Sequence, residues 1–141
     1  MKLLQGILAI SFAALAVVPP STATTAEPVA PAAPVIELAD DQFGNILATR
    51  AHRALYFWNV EKRDFKVHCT GECAKAWPPL LVRSKAVAKR IPGIKGTFGV
   101  IKRPDGRLQV TWNRLPVYTY AHERPDQVLC DNVNGWFVVR L

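Results

Sequence analysis

The amino-acid sequence predicts a small, mainly β domain built from two related β-hairpin units, with one short helix. Short stretches of alternating apolar and polar residues predict the strands, and a strong turn sequence together with an internal repeat predicts their arrangement. Of the 141 residues, 50% are hydrophobic and 21% are charged. This is the composition of a folded domain and not of a disordered or collagen-like chain, so we expect a packed core.

The first 26 residues are typical of a secretory signal peptide. One lysine precedes an apolar run over Leu3–Val18, and a stretch of prolines and small residues follows it. The run is slightly short for a membrane span, so we expect cleavage after Ala23 or Ala26, with an uncleaved membrane anchor as the alternative. Residues 1–26 are therefore predicted to be removed during export, which places the protein in the periplasm or outside the cell.

The region after the predicted signal peptide divides into a linker and one domain. Residues 27–34 are rich in alanine and proline and are predicted to form an extended linker. The folded domain is predicted to span residues 35–141. The first cysteine of the chain is Cys69, far beyond the predicted cleavage point, so no lipid anchor is expected.

An internal repeat relates two parts of the predicted domain at an offset of 62 residues. Segment 55–62 (LYFWNVEK), the first motif copy, and segment 117–124 (VYTYAHER), the second motif copy, share one pattern. The shared pattern is an apolar residue, Tyr, any residue, an aromatic residue, any two residues, Glu and a basic residue. A cysteine follows each tyrosine after 12 or 13 residues, and a tryptophan follows each cysteine. The two halves are therefore predicted to be duplicated units.

Each motif copy is predicted to begin with the second strand of a hairpin. Alternating patterns predict that Asn45–Thr49 pairs with Leu55–Trp58, and that Arg107–Trp112 pairs with Val117–Tyr120. These two pairings are the hairpin units of the predicted fold.

Three further elements are predicted around these units. Thr97–Lys102 and Leu108–Trp112 flank the sequence RPDG, whose proline and glycine favour the dihedral angles of a turn. Gly135–Arg140 has the composition of a strand that is apolar on both faces. Gly71–Trp77 is the one predicted helix, because the two prolines that follow it cannot continue a helix.

The three cysteines leave more than one pairing open. Cys69 and Cys73 are close enough in sequence to form a disulfide, which export would preserve, and Cys130 is then left over. Cys130 could instead pair with one of the others. A metal site would gather His68, Cys69 and Cys73 with His122 or Cys130, but the spacing is not that of a zinc site, so no metal and no other cofactor is predicted.

The repeated motif also supplies the candidate ligand-binding residues. Residues two apart on a strand share one face, so the aromatic pairs of the two copies could stack on a sugar ring or a flat ligand. The glutamate of each copy would supply hydrogen bonds. The alternative is that these side chains simply pack in the core. The candidate residues are Tyr56, Trp58, Glu61, Tyr118, Tyr120 and Glu123.

Catalytic and redox functions have weaker sequence support. The chain carries no nucleophile elbow, metalloprotease helix motif or phosphate-binding loop, so a non-enzymatic role is expected. Thiol chemistry at Cys130 with His122 is the enzymatic alternative. A metal-handling or electron-transfer accessory protein of the cell envelope is a further alternative, in which tyrosines and tryptophans could relay oxidising equivalents.

The excess of basic residues indicates an anionic partner. The net charge is +7, and many of the cations lie in the second half of the domain. For an exported protein the expected partner is an anionic envelope polymer, a glycan or a lipid headgroup, and not a nucleic acid, because no nucleic-acid-binding motif is present. The alternative is a solvated run of charges. The cations concerned are Arg83, Lys85, Lys89, Arg90, Lys95, Lys102, Arg103 and Arg107.

The two motif copies and segment 69–80 resemble a bacterial family of secreted repeat proteins of unknown function. The members of this family are predicted lipoproteins with a Tyr-x-aromatic-x-x-Asp motif. Segment 69–80 (CTGECAKAWPPL) is similar to the family's Cys-x-x-x-Cys-Ala-x-x-Trp-Pro-Pro-Leu block, and the resemblance covers Gly44–Val139. It implies an exported domain without a settled biochemical activity. The chain departs from the family by having Glu61 and Glu123 in place of aspartate, and Arg114 where glycine is common.

The function predicted from these observations is that of an exported, non-enzymatic binding or structural module of the bacterial cell envelope. The alternative is the metal-handling or electron-transfer accessory protein described above.

Overall fold

A computed structural model of the chain describes residues 33–141, and it confirms a small, mainly β domain with one short helix. The predicted signal peptide 1–26 and most of the predicted linker lie outside the described residues. The strands are β1 (Val35–Asp40), β2 (Gly44–Thr49), β3 (Tyr56–Trp58), β4 (Leu81–Val82), β5 (Phe98–Lys102), β6 (Leu108–Trp112), β7 (Leu115–Pro116) and β8 (Trp136–Val138). The α-helix is α1 (Glu72–Ala76), and Asn59–Arg63 forms a 3-10 helix.

The strands form three small antiparallel sheets. β1 pairs with β2, β3 pairs with β8, and β6 lies between β4 and β5 while also pairing with β7. Single bridges connect the sheets, and the one that matters most for the candidate site joins Tyr56 to Tyr118. The described domain is thus held together by short pairings and by side-chain packing between them.

The hairpin around the RPDG turn is confirmed. β5 and β6 pair over their full length, from Phe98 opposite Trp112 to Lys102 opposite Leu108. The turn is closed by a bond from the Arg103 amide to the Arg107 carbonyl, 2.9 Å. Gly106 takes a left-handed φ of 84°, which a glycine adopts at little cost.

The predicted pairing of Asn45–Thr49 with Leu55–Trp58 is wrong for most of its length. β2 pairs instead with β1, and the two predicted partners meet only near Ala48 and Ala54. The physical reason lies in β3, which is aromatic on both faces and needs cover on both. β8 provides that cover, because Phe57 lies opposite Phe137 and Trp58 lies opposite Trp136.

The second predicted pairing is closer to the structure. β6 pairs with β7, and the Val117 amide extends the pairing by donating to the Val110 carbonyl, 3.1 Å. The connecting turn has φ values of 47° at Asn113 and 71° at Arg114, the left-handed geometry of a type I′ turn. The Arg114 guanidinium lies 4.0 Å from the centre of the Phe65 ring, so a side chain at this position makes a contact that glycine could not.

Two hydrophobic clusters make up the core of the described residues. The first core cluster surrounds the paired tyrosines and includes the disulfide cysteine Cys69, Trp77 and Trp136. The second core cluster lies against β6 and includes Leu47, Leu55 and Val110. The four aromatic residues of the predicted ligand site belong to the first cluster or pack against it, and this placement decides what they can do.

Candidate functional site

The two motif tyrosines lie side by side in the first core cluster. The Tyr56 amide donates to the Tyr118 carbonyl at 2.8 Å, and the Tyr118 amide donates to the Tyr56 carbonyl at 2.9 Å. Both residues are fully buried. The two motif copies therefore meet directly, backbone to backbone, at their tyrosines.

Each tyrosine hydroxyl is bound by the glutamate of the other motif copy. The Tyr118 hydroxyl donates to Glu61 Oε1 at 2.7 Å, and the Tyr56 hydroxyl donates to Glu123 Oε1. Glu61 is 0% exposed and Glu123 is 3% exposed. The 3-10 helix, which the sequence did not predict, is the element that carries Glu61 to this position.

The same glutamate oxygens also bind backbone amides. Glu61 Oε1 accepts hydrogen bonds from the His68 amide at 2.8 Å and the Cys69 amide at 3.3 Å, while Glu123 Oε1 accepts one from the Leu129 amide at 2.7 Å. Each carboxylate thus fixes the loop that leads to a cysteine. The second oxygen of each glutamate, Oε2, is buried without a hydrogen-bond partner among the described residues.

Burial has the largest effect on the pKa values of the two glutamates and the two tyrosines. It raises the pKa of Glu61 and of Glu123, although the hydrogen bonds from amides and tyrosines act in the opposite direction. Burial, together with the neighbouring carboxylate, also raises the pKa of Tyr56 and of Tyr118, so both phenols are neutral at physiological pH.

The raised glutamate pKa values predict that the folded state loses stability as the pH rises. A carboxyl group whose pKa is higher in the folded than in the unfolded state stabilises the fold below its ordinary pKa, and this stability is lost as the pH rises through the folded-state pKa. We expect the free energy of unfolding in urea to fall as the pH rises over the range above the ordinary glutamate pKa. The double variant Glu61→Gln/Glu123→Gln should show a flatter profile. A wild-type profile that rises over this range would contradict the burial of ionisable glutamates.

An aromatic stack runs past the paired tyrosines. We use this term for the rings of Trp58, Trp136, Trp77 and Tyr120, in that order. Trp77 and Trp136 are stacked at 3.9 Å between centroids with 7° between planes, and Trp58 lies 5.3 Å from Trp136 at 3°. Tyr120 closes the series 4.8 Å from Trp77. The tyrosines Tyr56 and Tyr118 meet this stack edge-on.

The predicted ligand-binding residues do not form a surface platform. Tyr56, Glu61, Tyr118 and Glu123 are buried, and only Trp58 and Tyr120 are half-buried. The alternative of core packing therefore describes their arrangement, because β8 and the opposite motif copy cover the faces that a ligand would need. The structure brings all six residues into one cluster instead of two separate sites.

The structure contains a disulfide between Cys69 and Cys73 and a free thiol at Cys130. Cys130 is half-buried, and burial raises the pKa of its thiol, whereas a hydrogen bond with Tyr120 lowers it. A thiol whose pKa is raised is a poor nucleophile at neutral pH. The geometry therefore gives little support to the alternative of thiol chemistry with His122.

The metal alternative is not supported by the placement of its residues. Cys69 and Cys73 are bound to each other, and His68 Nε2 lies 2.9 Å from Asp64 Oδ2. Within residues 33–141, no group of three or more His, Cys, Asp or Glu side chains is arranged to hold a metal ion.

A buried polar pair between the RPDG turn and β6 was not predicted from the sequence. Arg103 is 3% exposed, and its guanidinium donates to Gln109 Oε1 at 2.6 Å and to the Cys69 carbonyl at 2.9 Å. Gln109 in turn donates to the Val117 carbonyl at 2.9 Å. The expectation that Arg103 belongs to a basic surface is therefore wrong, because its charge is directed into the domain. The alternation of β6 predicts that Gln109 faces solvent, so no local sequence signal marks it as buried.

The other seven predicted basic residues, including Lys102 and Arg107, are exposed, and five of them lie in one segment. We use the term basic segment for residues 83–95, which connect β4 to β5. All five of its cations are exposed, and within the described part of the chain none is in an ion pair. No acidic residue occurs between Cys73 and Pro104. The five cations are Arg83, Lys85, Lys89, Arg90 and Lys95.

The basic segment is fixed to the domain by its apolar residues. Val87, Ile91 and Ile94 pack against the second core cluster, and the Lys89 carbonyl accepts a hydrogen bond from the Phe98 amide at 2.9 Å. Arg107 differs from these cations because it is paired with Asp105 at 2.8 Å. The exposed cations are thus carried by a segment that packs on the core.

An open apolar groove begins beside the basic segment. It has a volume of about 540 Å³, and its lining includes Leu81, Val82 and Leu108 together with Arg83 and Arg107. Leu81 is 38% exposed.

Comparisons of the chain with protein-family models, with curated proteins and with solved structures gave no match. The resemblance to the secreted repeat family therefore remains an expectation. Among the described residues, no helix is long and apolar enough to span a membrane.

Proposed function

We propose that this protein is an exported, non-enzymatic binding module of the bacterial cell envelope, and that it holds an anionic polymer on the basic segment. The observation that carries the proposal is a set of five exposed cations within thirteen residues of chain, none of which is in an ion pair with any of residues 33–141. A surface with one sign of charge and no local counter-charge attracts polymers of the opposite sign. Phosphate or carboxylate groups along the polymer would bind these side chains.

The way the basic segment is attached supports this role. A flexible tail must lose conformational freedom when it binds, whereas the apolar contacts of Val87, Ile91 and Ile94 fix this segment in advance. Two observations favour a polymer over a membrane. The cations are spread along the segment, and Leu81 is the only large apolar side chain among residues 33–141 that is exposed beside them.

The proposal includes export of the protein and an origin of its two motif copies by duplication. The disulfide between Cys69 and Cys73 is of the kind that persists in an oxidising compartment, which supports a periplasmic or secreted location. The reciprocal bonds between Tyr56 and Glu123 and between Tyr118 and Glu61 support an origin of the two motif copies by duplication. In this account the motif stabilises the fold, and the basic segment binds the ligand.

The test measures the affinity of the protein for inorganic polyphosphate at about 50 mM and about 300 mM salt, where screening differs strongly. The variant Arg83→Gln/Lys85→Gln/Lys89→Gln/Arg90→Gln removes four charges from the basic segment. We expect it to bind at least ~10-fold more weakly than the wild type, since each exposed charge contact contributes a fraction of a kcal/mol. The wild-type affinity should also fall with salt.

The matched control removes the same number of exposed charges elsewhere, in the variant Arg50→Gln/Arg63→Gln/Lys66→Gln/Arg124→Gln. It should retain most of the affinity. Equal losses in the two variants would show that only net charge matters and would overturn the proposed site. If the protein bound phosphatidylglycerol vesicles but not polyphosphate, the proposed polymer ligand would be wrong and a membrane surface would take its place.

A further inference from the structure

The aromatic residues of this chain are concentrated in one place, which the binding role does not explain. All three tyrosines and three of the four tryptophans are in mutual ring contact. The fourth, Trp112, is stacked on Phe57 at 6.5 Å and has no ring contact with the aromatic stack. Indole and phenol rings are among the side chains that give up one electron most readily, so a continuous series of them can serve as a path for electrons.

The aromatic stack connects the surface to both buried tyrosines. It begins at Trp58, which is half-buried and whose indole N–H donates to the Asn134 carbonyl at 3.2 Å. It continues to Trp136, whose ring is 5.1 Å from the Tyr118 ring, and to Trp77, whose ring is 5.3 Å from the Tyr56 ring. No step between centroids along this route exceeds 5.3 Å.

Each buried tyrosine has a proton acceptor in place. A phenol can release an electron easily only if its proton leaves at the same time, and here the hydroxyl already donates to a carboxylate. Backbone amides hold Oε1 of each glutamate in place beside the tyrosine hydroxyl, and Oε2 has no hydrogen-bond partner among the described residues. Burial, which raises the pKa of both glutamates, favours the protonated product.

We propose that the protein takes up one-electron oxidants of the radical class, such as peroxyl radicals, at Trp58, and that the aromatic stack passes the oxidation to the Tyr118–Glu61 and Tyr56–Glu123 pairs. In the first step the Trp58 ring loses one electron to the peroxyl radical, which takes a proton from water and becomes a hydroperoxide. An electron then moves from Trp136 to Trp58, and one moves from Tyr118 to Trp136.

The last step balances within the buried pair. The phenolic O–H bond of Tyr118 breaks, its electron leaves along the aromatic stack, and its proton forms a new O–H bond on Glu61. The products are a neutral tyrosyl radical and a neutral carboxylic acid, so no net charge is left in the core. Tyr56 and Glu123 undergo the same step through Trp77. This activity is independent of the basic segment and goes beyond the proposed polymer binding.

The test generates tris(bipyridine)ruthenium(III) with a light flash and follows tryptophan and tyrosine radicals by transient absorption. It is carried out at alkaline pH, which favours the ionised carboxylates that accept protons, and in a Cys130→Ser background so that the thiol cannot intercept a radical. We expect a tryptophan radical that decays into a tyrosyl radical. In Glu61→Gln/Glu123→Gln, formation of the tyrosyl radical should slow by about 100-fold, because the positioned proton acceptors are gone.

The matched comparison is Trp58→Phe against Trp112→Phe, since each removes one half-buried indole and only the first belongs to the aromatic stack. Trp58→Phe should lower the yield of tyrosyl radical, and Trp112→Phe should leave it unchanged. Equal yields in these two variants would overturn the proposed path, and this comparison remains decisive if the glutamate variant does not fold. If a folded Glu61→Gln/Glu123→Gln variant formed the tyrosyl radical as fast as the wild type, the carboxylates would not be the proton acceptors.

Discussion

Replacing Glu61 by alanine is expected to lower the free energy of unfolding by about 3 kcal/mol, because three hydrogen-bond donors lose their acceptor in the core. They are the Tyr118 hydroxyl and the amides of His68 and Cys69, all bound to the same carboxylate oxygen. The removal of a buried charge offsets part of this loss. Urea unfolding at neutral pH, with a constant m-value, is the measurement.

The control for this prediction is Tyr118→Phe, which removes one hydroxyl and leaves the two amides bound to Glu61. It is expected to cost only about 1 kcal/mol, the usual value for a single hydrogen bond. If Glu61→Ala lowered the free energy of unfolding by no more than Tyr118→Phe does, the carboxylate would not be the acceptor that fixes the loop at His68 and Cys69.

Replacing Trp136 by alanine is expected to lower the free energy of unfolding by roughly 3–5 kcal/mol, as for other large aromatic residues in a core. Trp136 is 4% exposed and is in ring contact with Trp58, Trp77 and Tyr118. Its removal opens a cavity at the centre of the aromatic stack, which the neighbouring rings cannot fill without leaving their own contacts. Thermal or urea unfolding of the variant measures the loss.

The neighbouring residue provides the control for Trp136. Phe137 lies on the opposite face of β8, is half-buried, and stacks on Phe57 at 5.7 Å. Phe137→Ala should lower the free energy of unfolding clearly less than Trp136→Ala, because Phe137 has a smaller ring and is less completely buried than Trp136. A larger loss at Phe137 would mean that the aromatic stack is not the centre of the core.

Local patterns predicted the local elements of this fold. The RPDG turn and the hairpin around it depend on residues close in sequence, and so does the end of α1 before Pro78. The pairing of β3 with β8 depends on residues about 80 positions apart, so no short window of sequence contains it. The 3-10 helix was missed for a related reason, since Glu61 is held there by contacts with Tyr118 and with the loop before Cys69.

The sequence identified the residues of the central cluster but not their environment. The pattern of the motif selected Tyr56, Glu61, Tyr118 and Glu123 as a group, and the structure does bring them together. It could not show that each glutamate binds the tyrosine of the other copy, because this depends on how the two copies pack. The charge of Arg103 illustrates the same limit, since a basic run in sequence does not reveal which member turns inwards to Gln109.

The central claim is that the two motif copies stabilise each other through two specific hydrogen-bonded pairs, Tyr118 with Glu61 and Tyr56 with Glu123. The most direct test is a double-mutant cycle between Tyr118→Phe and Glu61→Ala, compared with a second cycle between Tyr118→Phe and Glu123→Ala. We expect a coupling free energy of about 1 kcal/mol or more in the first cycle and less than ~0.5 kcal/mol in the second. Equal coupling in the two cycles, or none in the first, would contradict the reciprocal pairing.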